Sequence, residues 1–244
     1  MSNCLRIAGL FVVAASFTAC ADSLASQPTP ETPSIGADRA TVSGRVVDTR
    51  GTAIPGATVA VRSSGEHVLA DATGEFSLDV PANTTLTLSA TASNMAPTLM
   101  QQFLVSPGAT ASVELAMVTT DHYKSLVAMG SNPAGGVVAV SLKSLSGAGS
   151  FVGATVELTP ALGRVMYPAT GAGMTDPDPS MGTVVQSTDS YAWALGVQPH
   201  VSIMQLALRG TAQVEPPYAI DDVVYPGTFT VDAGALTLVT LHTK

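Results

Sequence analysis

Charge is scarce in this sequence. Asp, Glu, Lys and Arg make up 11% of its 244 residues, less than half of the ~25% usual for a soluble domain. Basic residues are scarcer still, 10 against 18 acidic ones for a net charge of −8, and an acidic surface repels a phosphate backbone, which argues against a nucleic-acid partner. Long apolar runs are missing. The longest, Ile7 to Ala19, has thirteen residues against the ~20 that carry a helix across a bilayer, which excludes a multi-spanning helical membrane protein. Aromatic residues are only 5% of the chain, with a single Trp. There are two cysteines and four histidines, too few for a disulfide framework or a His-rich metal site. What is abundant is apolar surface. At 46% apolar residues, the bulk of the chain can bury enough to fold, which excludes general disorder.

The first residues read as an address. Arg6 supplies positive charge, Ile7 to Ala15 an apolar stretch, and Ser16 to Ala19 a small-residue end, the three parts of a secretory signal. Phe17-Thr18-Ala19-Cys20 resembles the lipobox of bacterial lipoproteins, with Phe17 where Leu is usual. The resemblance implies cleavage after residue 19, acylation of Cys20, and loss of Cys4 with the signal. Several acyl chains hold a protein on a membrane, at ~0.8 kcal/mol per buried methylene. Ala21 follows the cysteine rather than Asp, which in lipoproteins points to the outer membrane. On that resemblance residues 20–39 are expected to be the lipidated cysteine and a Ser-, Thr- and Pro-rich tether; residues 21–38, as flexible chain, would span about 25 Å.

From Thr41 onward the pattern alternates with period two. Phe76, Leu78 and Val80 share one face, as do Leu86 and Leu88, and Val113, Leu115 and Met117. Turn signals separate the runs: Arg50-Gly51, Pro55-Gly56, Ser64-Gly65, Thr73-Gly74, Pro107-Gly108. No segment shows convincing helical spacing. Short strands at such intervals predict an antiparallel sandwich. Three motifs fall in order: Val42-Ser43-Gly44-Arg45-Val46-Val47-Asp48, then Ile54-Pro55-Gly56-Ala57-Thr58-Val59, then Asp71-Ala72-Thr73-Gly74-Glu75-Phe76. Together they resemble the carboxypeptidase regulatory-like domain, a transthyretin-like sandwich that is the accessory, non-catalytic part of the peptidases it occurs in. Asp48, Asp71 and Gly74 are expected to build turns, the carboxylates bonding nearby amides and Gly74 adopting a left-handed conformation.

The second half repeats the scheme loosely. Gly153-Ala154-Thr155-Val156 echoes Gly56-Ala57-Thr58-Val59, and Ala235 to His242 closes this half as Ala111 to Met117 closes the first. Strands are predicted over 137–142, 183–187, 191–197 and 201–209. The expected fold is all-β: tandem antiparallel sandwiches of Greek-key type over residues 40–119 and 122–244, the second a candidate diverged copy. Two longer loops, 143–153 and 168–182, are where function would concentrate.

Candidate sites are few. Tyr191 and Trp193, two apart on a strand, point to one face and form a stacking platform for a sugar ring if exposed, or a core anchor if not. Asp176 and Asp178 put two carboxylates on one loop, a weak Ca²⁺ candidate, with Asp221 and Asp222 as further oxygens. Met166, Met174 and Met181 with His200 are a soft-ligand set or simply core filling. No HExxH or GxSxG motif occurs. The expectation is a non-enzymatic, cofactor-free, lipid-anchored protein of the cell envelope, a structural or protein-interaction module. The alternative is a carbohydrate-binding lipoprotein.

Overall fold

A computed structural model describes residues 38–144, 150–159, 161, 163–169, 174–185, 190–199, 204–209 and 217–243. The expected signal, Cys20 and nearly all of the expected tether lie outside the described residues, as do His200 and parts of both long loops. The strands are β1 (Arg39–Asp48), β2 (Thr58–Val61), β3 (His67–Leu69), β4 (Glu75–Pro81), β5 (Leu88–Thr91), β6 (Thr98–Met100), β7 (Leu104–Val105) and β8 (Thr110–Met117). After helix α1 (Thr120–Met129) come β9 (Gly136–Ser144), β10 (Thr155–Thr159), β11 (Arg164–Pro168), β12 (Pro177–Asp178) and β13 (Ser190–Val197). β14 (Met204–Arg209), β15 (Tyr218–Ile220), β16 (Val223–Tyr225), β17 (Thr228–Phe229) and β18 (Leu236–Thr243) complete the chain.

The all-β expectation holds, with one short helix added. Alternation in β4 and β8 buries every second residue, and the sheet β4-β1-β8 packs its apolar face over β2 and β5. The turn motifs work as their chemistry requires. Asp71 Oδ1 accepts from Thr73 N (2.8 Å), Thr73 Oγ1 (2.7 Å) and Glu75 N (2.9 Å), bonds that hold its carboxyl below the usual range, and Gly74 sits at φ 77°. Asp48 Oδ1 accepts from Arg50 N and Thr52 N, each at 2.8 Å. Gly44 answers a closer constraint, since a Cβ there would lie 1.8 Å from the Val113 carbonyl oxygen of β8.

Three expectations change. First, the pairing is not purely antiparallel: β1 with β8, β18 with β9, and β18 with β6 run parallel. The connections between these strands are long enough to cross over, as parallel neighbours need. Second, residues of both halves share one nine-stranded sheet, ordered β12-β11-β13-β9-β18-β6-β5-β2-β3. β18 inserts between β9 and β6 and carries hydrogen bonding from one half into the other. Third, residues 120–129 form α1. Thr119 Oγ1 accepts from His122 N (3.2 Å), Asp121 lies in the first turn, Gly130 follows the end, and Tyr123 and Leu126 are buried. The cap signals were present in the sequence, but two buried residues in ten make too weak a helical period to stand out. Of the predicted strand over 183–187, the described residues 183–185 are not strand.

The core is layered. One cluster lies inside the first sandwich. A second lies between one face of β9, β13 and β18 and the layer of β10, Phe151, Phe229 and Val231. A third covers the opposite face of β9 and β13 with α1, Met166 and Met174. Among the described residues no helix is long and apolar enough to cross a membrane.

Candidate functional site

The aromatic platform does not form. Trp193 is fully buried, packed with Leu126, Met166 and Leu195, and its indole N–H donates to the Thr175 carbonyl at 2.9 Å. Its faces are spent on the core, because the strand that carries it is covered on both sides. Tyr191, two residues earlier, is half-buried and reaches the rim of that cluster.

The loop carboxylates point to separate partners. Asp176 Oδ1 pairs with His122 Nε2 of α1 at 2.5 Å, and the His122 ring lies 6.3 Å from that of Trp193. Asp178 Oδ1 instead accepts from Ser180 N and Oγ, at 2.8 and 2.7 Å, which holds its carboxyl below the usual range. Asp221 takes the tight turn between β15 and β16 at φ 50°. Among the described residues no three His, Cys, Asp or Glu side chains gather as metal ligands. Met166 and Met174 are buried in the third cluster as packing.

A different place gathers polar groups. Strand register sets Tyr191 of β13 beside Ser141 of β9, and Ser141 beside Thr240 of β18. The next row outward is Lys143 beside His242. These rows face the outward side chains of β8, among them Glu114, across a cleft of about 180 Å³ whose apolar lining includes Leu238 and Met100. The cleft is neighboured by a hollow of about 320 Å³ beside the Thr49–Gly51 turn, and Glu114, Ala116, Met174 and Tyr191 line both.

One end of the cleft is an aromatic cluster. Tyr218 and Tyr225 stack with ring centroids 5.2 Å apart, and His242 lies 6.0 and 6.2 Å from them. Burial raises both tyrosine hydroxyls above their usual range. Burial, with the Lys143 charge as the smaller cause, lowers His242 below the usual imidazole value, so its ring is neutral at pH 7. Its Nδ1 is buried with no hydrogen-bond partner among the described residues. Beneath, the buried Gln101 side chain acts as one more strand residue: Thr240 N donates to its Oε1 (3.1 Å) and its Nε2 donates to Thr240 O (3.3 Å). Sequence reasoning reached Tyr191 but missed this site, because its groups come from β8, β9, β13, β16 and β18 and no local motif joins them.

Comparison with known proteins gives a family for part of the chain. Residues 41–118 match the carboxypeptidase regulatory-like domain, the region and family that the three motifs indicated. No curated protein matches the sequence. Among solved structures, the chain is similar to a type II cohesin–X-dockerin complex from Acetivibrio cellulolyticus, at 21% identity and TM-score 0.29, covering 33% of this chain. It spans 58% of that chain's length. A streptococcal ancillary pilin is 12% identical with TM-score 0.25, covering 84% of this chain and 62% of the pilin. A candidate carbohydrate-binding protein from Bacteroides uniformis is 10% identical with TM-score 0.28, covering 79% and 98%. At these values the likenesses say nothing further of this chain.

Proposed function

We propose that the protein is a non-catalytic, lipid-anchored component of a bacterial cell envelope, at the outer membrane, in which the β-sandwich body serves as a structural or protein-interaction module. The anchor rests on Phe17-Thr18-Ala19-Cys20 behind an apolar stretch, with a Pro-rich tether to the folded body. The observation that carries the interaction role is the edge of the nine-stranded sheet at β3, which pairs with no further strand among the described residues and where Leu69 is 63% exposed. An unpaired strand edge with an exposed apolar side chain offers backbone donors and acceptors to an added strand. The alternative carbohydrate platform at Tyr191 and Trp193 has lost its main surface, since Trp193 is buried.

Two measurements on the full chain in intact envelopes test this. Alkyne-palmitate should label the protein, and Cys20→Ser should abolish labelling and release the protein from membranes. A photo-crosslinking residue at position 69 should give a discrete adduct with another envelope protein, while one at the exposed loop position Val152 should not. An unlabelled, membrane-free wild type would overturn the anchor. Equal adducts from both positions, or none, would overturn the edge as the docking element.

A further inference from the structure

We infer that the cleft between β8 and the β9–β18 face, together with the adjoining hollow, is a binding groove for a short neutral glycan. The groups lining it select this chemistry by elimination. Glu114 and Lys143 carry opposite charges into one cleft, and neither forms an ion pair or hydrogen bond with a described residue. Glu114 opposes an anion and Lys143 opposes a cation, and two charged groups disfavour a purely apolar guest. A neutral ligand bearing hydroxyls suits both, because each hydroxyl can donate to a carboxylate or a neutral imidazole and accept from an ammonium.

Shape and apolar lining narrow the class. Tyr191 and Leu238, both half-buried, give the wall aromatic and aliphatic surface, on which the C–H face of a pyranose ring can pack. A small zwitterion would satisfy Glu114 and Lys143 but leave Ser141, Thr240 and the aromatic surface without use. At about 180 Å³ the cleft lies below the ~300–1,000 Å³ of drug-sized pockets, room for one small unit. The hollow of about 320 Å³ that shares Glu114 and Tyr191 with the cleft provides for a second. The groove therefore fits at least two linked units, with Glu114 and Tyr191 at the junction. This goes beyond the anchored-module proposal and is separable from it, since loss of acylation at Cys20 leaves the groove unchanged.

The test is calorimetric titration of the full chain in detergent with maltose, cellobiose and diacetylchitobiose, each beside its monosaccharide, and with glycine and inorganic phosphate as counter-probes. At least one disaccharide is expected to bind with a dissociation constant on the order of 1 mM, more tightly than its monosaccharide. Glu114→Gln should weaken it about tenfold, as expected when a charge-assisted hydrogen bond is lost, with the melting temperature unchanged because Glu114 is exposed and forms no ion pair with a described residue. Tyr191→Ala should weaken it too, while Glu157→Gln, on β10 in another sheet, should not. Absence of saturable disaccharide binding would overturn the proposal. So would binding of phosphate or glycine instead, or a disaccharide affinity that Glu114→Gln leaves unaltered.

Discussion

The two halves of the molecule share wiring and differ in what covers it. In the first, β1 is flanked by β4 antiparallel and β8 parallel; in the second, β9 is flanked by β13 antiparallel and β18 parallel. β2 pairs with β5 as β10 pairs with β14. Yet the β4-β1-β8 sheet keeps one face in water, so its strands alternate Ser77, Asp79, Ser112 and Glu114 outward with Leu78, Val80, Val113 and Leu115 inward. The β13-β9-β18 sheet is covered on both faces through much of its length, and Val137 to Val140 and Ala192 to Leu195 are buried without alternation. One pattern of connections thus tolerates two kinds of sequence, and the number of covered faces decides which. The candidate groove lies where the two regimes meet, beyond the α1 layer, where the polar outer face of β8 looks onto the last polar rows of β9 and β18.

The difference can be broken most sharply at Trp193. Trp193→Ala should cost about 3–5 kcal/mol, whereas Ser77→Ala on the solvated face should stay within about 0.5 kcal/mol. Urea titration followed by far-ultraviolet circular dichroism measures both, and a Trp193→Ala cost below about 1 kcal/mol would mean that the helix layer is not packed as described. Next is Gly44→Ala. Its methyl has no space beside the Val113 carbonyl, so β1 and β8 must part, at a cost of about 3 kcal/mol. Because the nine-stranded sheet joins the halves, amide protection should fall in β9 and β18 as well as in β1; loss confined to β1 and β8 would show two independent units.

A smaller effect is expected at Gln101, whose amide stands in for a strand residue against β18. Gln101→Ala leaves the Thr240 amide without its partner, at about 1–3 kcal/mol, and hydrogen exchange at Thr240 should accelerate ahead of its neighbours. The smallest concerns pH. His242 is depressed in the folded state, so the unfolded chain takes up this proton first and stability falls as pH drops below about 6.5. Asp71 and Asp178 are also depressed, but they act in a separate window, below their ordinary value of 3.8. The melting temperature should therefore decline on going from pH 7 toward 5, and His242→Gln should flatten that decline; an unchanged slope would show that the imidazole is hydrated rather than enclosed.

Much of the first half was legible because its information is local. Asp71, Thr73 and Gly74 specify a turn by contacts within five residues, and the alternation of Phe76, Leu78 and Val80 states which face is buried. Such signals marked the alternating runs that form β4 and β8 and the motifs by which residues 41–118 match the carboxypeptidase regulatory-like domain; the short strands β3, β6 and β7 left no such mark. The second half was less legible for a physical reason. A strand buried on both faces loses the period-two contrast, so the spacing of Tyr191 and Trp193 left both an exposed platform and a core anchor open. Helix α1 was hidden by its brevity, although Thr119, Asp121 and Gly130 marked its ends.

What the sequence determined by itself was therefore the all-β class, the turn-building acids and glycines, and the apolar face of each alternating strand, because these depend on neighbours a few residues away. Only the tertiary structure decided that β18 runs parallel between β9 and β6, that Trp193 belongs to the core, and that Glu114, Lys143, Tyr191, Tyr225 and His242 line one cleft. Those facts depend on contacts between residues up to about a hundred positions or more apart, whose partners are chosen by which sheet faces remain to be covered once the local strands have formed.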